Sequence, residues 1–225
     1  MTKIKIITSP EVSEKVVKDL LCLDIAIVGV NCKGTELGPK GRITQVTVCT
    51  CNNDVYIFDV RRQPKLIIDG AVIRLFQSRE LVKVFHDCRP DSSAMKKIYG
   101  VDLNNYFDTQ AAFSTFMEQC GFPPRQVSLS HLCDRFMIDR YTPDRTQQMK
   151  MTDINYWALR PMTSEMINTS VSDVLPLIPI YHSLQQDLSR DMISWFECKS
   201  IENKFYNPNK KSTQEKCKRL KAVMQ

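Results

Sequence analysis

Long apolar runs are missing from this 225-residue chain: the richest, Ile25–Val30 and Val174–Tyr181, fall far short of the roughly 20 residues that span a bilayer as a helix. No membrane crossing is expected. Cysteine pairs at C-x-x-C spacing are missing too, the nine cysteines are odd in number, and no basic stretch followed by an apolar one opens the chain. These absences exclude a disulfide-stapled secreted framework and predict reduced thiols in a cytosolic or nuclear compartment, with the cytoplasm as the expected location. Histidine is scarce: His86, His131 and His182 stand in no C-x2–4-C…H-x3–5-H relation to the thiols, so no structural zinc is expected. There is no internal repeat, and no low-complexity stretch before a lysine-rich end. What is present, 43% hydrophobic and 25% charged residues with 7 Gly and 11 Pro, is the composition of an ordinary globular protein.

The net charge of +6 is unevenly placed. From Ile201 to Gln225 seven Lys/Arg face Glu202 and Glu215, so 7 − 2 = +5, and the other 200 residues carry about +1. This divides the chain into residues 1–200 and a basic extension, 201–225. Ser212-Thr213-Gln214-Glu215 fits a capping box, and the helix it would start puts Cys217, Leu220 and Met224 on one side. Lys216, Lys218, Arg219 and Lys221 would spread over the rest, and with Lys210 and Lys211 just ahead of the helix they can meet a polyanion such as RNA.

The first third alternates in the manner of strands. "KIKIIT" is a first strand, Ser9-Pro10-Glu11 opens a helix to about Cys22, and "DIAIVGV", "RITQVTVCT" and "VYIFDV" follow with short turns, predicting an antiparallel meander. Asp69 is expected to cap a helix through Phe76, and "LVKVFHD" leads into a helix over Pro90–Tyr99. Helices are predicted over Gln110–Cys120, Ser128–Met137 and from Thr163 towards Asp191, the last kinked at Pro176 and Pro179. Ile138–Asn155 reads as a long polar loop. The plan is α/β, a mixed sheet written first and helices after it.

Three segments in order, "VGVNCKG…GRITQVTVCT…VYIFDV", "KVFHDCRPDSSAMKKIYGV…YFDTQAA" and "WALRPMTSEMINTSVSDVLPLIPIY", resemble the RNase D-like DEDD 3′-to-5′ exonuclease domain over roughly Ile4 to Arg190. The resemblance implies an RNase H-like fold, a mixed sheet flanked by helices. In active members it also implies four acids holding two Mg²⁺ or Mn²⁺ ions that activate a water and stabilise the leaving oxygen. The Asp-x-Glu expected at the end of a core strand is here Asn31-Cys32-Lys33; Asp91 and Asp173 match the third and fourth acids, and the water-orienting position falls on Thr169. Glu36 and Asp24 do not rescue the pattern, since Glu36 lies three residues on, with reversed strand parity, and Asp24 lies at the strand's other end.

Carried across residue by residue, the resemblance leaves Asp91, Asp173 and Lys33 to give −2 + 1 = −1 where an intact site supplies −4. Lys33 is expected to neutralise Asp91 or Asp173 rather than to hold phosphate, and neither a metal pair nor any other cofactor is expected. "FDT" at Phe107–Thr109 and "RP" at Arg160-Pro161 are family landmarks taken as structural, a turn acid and an arginine leading into a helix. Tyr156, Trp157, Trp195 and Phe196 are assigned to the core rather than to base stacking. The animal members that the chain resembles most act in small-RNA silencing, especially the piRNA pathway. The resemblance therefore implies a catalytically inactive exonuclease-like domain that binds RNA, with protein partners of the piRNA machinery and a possible homodimer. An active exoribonuclease with a reduced metal site and a dimerisation module without RNA affinity are the alternatives.

Overall fold

The computed structural model describes residues 2–38, 40–189, 192 and 196. The basic extension lies outside these residues, as do its expected capping box, the lysines and arginine expected to meet RNA, and Trp195.

One six-stranded mixed sheet organises the fold. It contains β1 (Ile4–Ile7), β2 (Ile27–Thr35), β3 (Arg42–Thr50), β4 (Val55–Phe58), β5 (Val82–Phe85) and β6 (Tyr106–Asp108), in the order β1-β4-β3-β2-β5-β6. The short turns of the meander make β2–β3 and β3–β4 antiparallel. The longer crossovers make β1–β4, β2–β5 and β5–β6 parallel. Strand alternation sends Val28, Val30 and Cys32 of β2, with Val46 and Val48 of β3, to one face. There they pack under α1 (Pro10–Leu21), α2 (Val72–Gln77) and α3 (Arg89–Tyr99). On the other face Cys49, Val55, Ile57, Val84 and Phe107 meet α4 (Thr109–Gln119), α5 (Leu129–Arg135), α7 (Ser164–Val174) and α8 (Leu177–Asp187). Both faces are covered, as the predicted RNase H-like plan requires.

Several local expectations need correction. Asp69 does not cap α2: the cap position is Ala71, in the left-handed region at φ 62°, with no side-chain hydrogen bond. The polar stretch 138–155 contains a helix, α6 (Arg145–Met151), started by a capping box between Asp144 and Gln147. None of its residues is buried, so no apolar periodicity announces it. The long last helix is two helices, α7 and α8, parted at Leu175-Pro176. Pro179 falls in the first turn of α8, where a missing N–H leaves no bond unmade.

Glycine is required at position 29, in mid-strand. A Cβ there would lie 2.8 Å from the Val174 carbonyl oxygen and 3.2 Å from Leu177 Cβ. The junction of α7 and α8 rests directly on the backbone of β2, which brings the last turn of α7 down to the exit of that strand. Gly29→Ala should force these elements apart and cost about 1–3 kcal/mol. The check is urea unfolding, with a lowered midpoint and an unchanged slope.

Candidate functional site

Asn31 and Lys33 project from the α7 side of β2, because alternation assigns Cys32 to the opposite core. Their neighbours across the strand pair are Thr47 and Gln45. Asp91 stands in the first turn of α3, where a helix N-terminus favours a carboxylate. Asp108 fixes the approach to it, accepting from the backbone N–H groups of Asp87 at 2.9 Å and Cys88 at 3.1 Å while also capping α4. Thr169 and Asp173 sit one turn apart on α7, and the structure brings all five sequence-predicted positions to the same end of β2.

Asp173 is gripped from two sides. Lys33 Nζ reaches its Oδ2 at 2.6 Å and Arg140 Nη2 its Oδ1 at 2.6 Å, with side chains only 14–18% exposed. An acid in the last turn of a helix is disfavoured by the helix dipole, and two cations offset that cost. Lys33 thus pairs with Asp173 rather than with Asp91, and its ammonium lies 4.9 Å from the centre of the Trp157 ring, within cation–π range. Sequence reasoning missed Arg140, which is hidden among the scattered charges of the 138–155 stretch with no motif to mark it. Its charge corrects the sum from −1 to zero: Asp91 and Asp173 against Lys33 and Arg140.

Asp91 has a different environment. It is 4% exposed and accepts from the Cys32 backbone N–H at 2.8 Å. Burial pushes its carboxyl up to about 6, against the opposing pull of its hydrogen bonds to Cys32. Nearby, Gln45 Nε2 donates to Thr47 Oγ1 at 2.8 Å and Ser170 Oγ at 2.6 Å. Asn31 Oδ1, Gln45 Oε1, Thr169 Oγ1 and Arg140 Nε are the buried side-chain polar atoms left without a partner among the described residues. All four belong to β2, β3, α7 and the chain just before α6. Arg140 also lines a cavity of about 430 Å³ with Tyr141, Asn168, Val171 and Leu175.

The Arg160 expected to lead into a helix instead ties a loop to the sheet. Its Nε meets Asp59 Oδ1 at 2.6 Å, and its Nη groups bond the carbonyls of Thr44, Trp157 and Leu159. This clamp positions Trp157 beside Lys33. Tyr156 and Phe196 are buried, whereas Trp157 is half-buried at the rim. His86 is a structural side chain: Nε2 faces the Val127 carbonyl, an acceptor, so Nδ1 accepts from the Thr109 hydroxyl, and burial holds the ring neutral.

Sheet order, flanking helices and the placement of the two acids define the class, an RNase D-type exonuclease fold. The chain belongs to the 3′-5′ exonuclease family, whose model matches residues 4–189. It is 26% identical over 177 residues to the mouse piRNA biogenesis protein EXD1, covering 74% of this chain and 30% of that protein. It is 26% identical over 191 residues to the Egalitarian protein homolog of Caenorhabditis elegans, covering 82% of this chain and 33% of the other. The matches therefore span about a third of these relatives' length. Trypanosoma brucei RNase D superposes with a TM-score of 0.77 at 18% identity, over 93% of this chain and 77% of that one.

The two divalent ions implied for active members do not fit the side chains at this site. Both oxygens of Asp173 are bound to cations, Asn31 and Thr169 offer only neutral oxygens, and Lys33 brings a positive charge to the same place.

The raised pKa of Asp91 has a signed consequence. Because the folded state holds this proton up to about pH 6, against 3.8 as the ordinary value, stability falls as pH rises from 3.8 to about 6. The loss is of order 3 kcal/mol at 1.36 kcal/mol per unit. Asp91→Asn cannot ionise, so its stability relative to wild type should rise by about that amount between about pH 4 and pH 7, measured by denaturant unfolding across the range.

Proposed function

We propose that this domain binds RNA without hydrolysing it and serves as an exonuclease-like adaptor in small-RNA silencing of the piRNA type. The observation that carries the reading is the double pairing of Asp173 with Lys33 and Arg140. A divalent ion about 4 Å from either cation would be repelled by about 8 kcal/mol at an effective dielectric of 20, and the zero sum of nearby charges offers nothing to offset it. The mouse relative, a piRNA biogenesis protein, supports the biological setting, and the ribonuclease neighbour supports RNA as the class of polymer. Lys210, Lys211, Lys216, Lys218, Arg219 and Lys221 are carried into this proposal as phosphate contacts. So are a cytoplasmic location, partners within the silencing machinery and a homodimeric assembly.

Incubating the chain with single-stranded RNA and Mn²⁺ is the decisive experiment. We expect intact RNA after times at which an active member of the family degrades it completely. Stepwise shortening from the 3′ end, lost on Asp173→Asn, would show a working metal site and overturn the reading.

A further inference from the structure

The net charge of residues 1–200 is close to neutral, yet the fold collects unpaired cations at one place. β3 carries a bulge: Lys33 pairs with Gln45 but Gly34 pairs with Ile43, leaving Thr44 as the extra residue. The bulge reverses the parity of everything before it. Val46 and Ile43 both enter the core under α1–α3, so Arg42 turns to the face that carries Lys33 and Gln45. Without the extra residue Arg42 would share the face of Val46. Bulges beside functional sites commonly re-aim a side chain in this way.

Thr44 is also the joint to the next strand. Its carbonyl accepts from the Arg61 N–H at 2.8 Å and from Arg160 Nη2 at 3.0 Å, and its hydroxyl donates to the Lys33 carbonyl at 3.1 Å. The chain just past β4 is thereby held against the start of β3. Lys40, Arg42, Arg61 and Arg62 are all exposed there, and none has an acidic partner among the described residues. Nearby Asp59 is already consumed by Arg160, leaving Glu36 of the β2–β3 turn as the opposing charge, so the local sum is 4 − 1 = +3. Gathering like charges on adjacent strand ends costs stability and adds nothing to packing, which points to an external anion.

We propose that Lys40, Arg42, Arg61 and Arg62 form a phosphate-binding track, leading single-stranded RNA across the β3–β4 end of the sheet to the rim marked by Trp157 and Lys33. The ligand is the phosphodiester backbone, so binding on this track is independent of sequence. This inference rests on the RNA-binding reading above but assigns the contact to the folded sheet, separately from the basic extension.

The test is fluorescence anisotropy of the full chain with a labelled single-stranded RNA over a range of salt concentrations. For K40A/R42A/R61A/R62A we expect affinity to fall tenfold or more at about 100 mM salt. We expect the log–log salt slope to shrink by about 3, at roughly 0.7 per lost phosphate contact. The exposed control set K3A/K15A/K18A/K97A removes the same charge elsewhere and should leave the slope nearly unchanged. Arg42→Lys/Arg61→Lys/Arg62→Lys keeps the charge and should keep the slope. If the quadruple variant loses its native circular dichroism, Arg61→Glu/Arg62→Glu replaces it, with at least half the slope loss expected. Wild-type binding that is equally weakened in the control set, or abolished only by replacing the basic extension, would overturn the track and leave the RNA-binding reading standing. No RNA binding by the wild type, or binding to phosphatidylserine vesicles alone, would overturn both.

Discussion

One carboxylate, Asp173, sits between two cations, and much of the local structure depends on this bridge. Lys33 comes from the sheet and Arg140 from the connection ahead of α6, so the three residues join β2, α7 and an otherwise lightly anchored segment through two contacts of 2.6 Å. Removing the acid would leave two largely buried positive charges facing each other, a situation that costs several kcal/mol in folded proteins. The bridge also explains how an acid is tolerated at the C-terminal end of α7.

The bridge depends in turn on backbone geometry. Gly29 lets the α7–α8 junction rest on β2 at a distance that any side chain would spoil. Arg160, anchored to Asp59 and to three carbonyls, holds Trp157 against the Lys33 ammonium. Around this scaffold lie polar groups, several of which lack partners among the described residues. Acids on α3 and α7 stand beside the end of β2, and the charges of Lys33 and Arg140 cancel those of Asp91 and Asp173.

Much of the fold was legible because strands and helices with one buried face carry their periodicity openly. The meander and the α3 helix could be placed from spacing, and Asp91 and Asp173 from the resemblance to the exonuclease family. α6 was not, because a helix without buried residues has no apolar stripe; only Asp144 and Gln147, a capping pair, could have signalled it. Arg140 was missed, and Arg160, read as structural, was given the wrong contacts, for another reason. Their roles come from partners 33 and 101 residues away in sequence, and nothing local distinguishes a bridging arginine from a solvated one.

The amino-acid order by itself determined the strands of the meander and the face of most of their residues, which follow from local periodicity, while the class of fold and the match of Asn31 and Lys33 to the family's acid positions came from the order of its motifs. Only the tertiary structure decided that Lys33 pairs with Asp173 rather than Asp91, that Arg140 completes the cancellation of charge, and that a bulge at Thr44 turns Arg42 towards the site. The reason is physical: alternation and capping act over a few residues, whereas ion pairing and bulge-shifted register depend on which distant segments the packed core brings within a few ångströms.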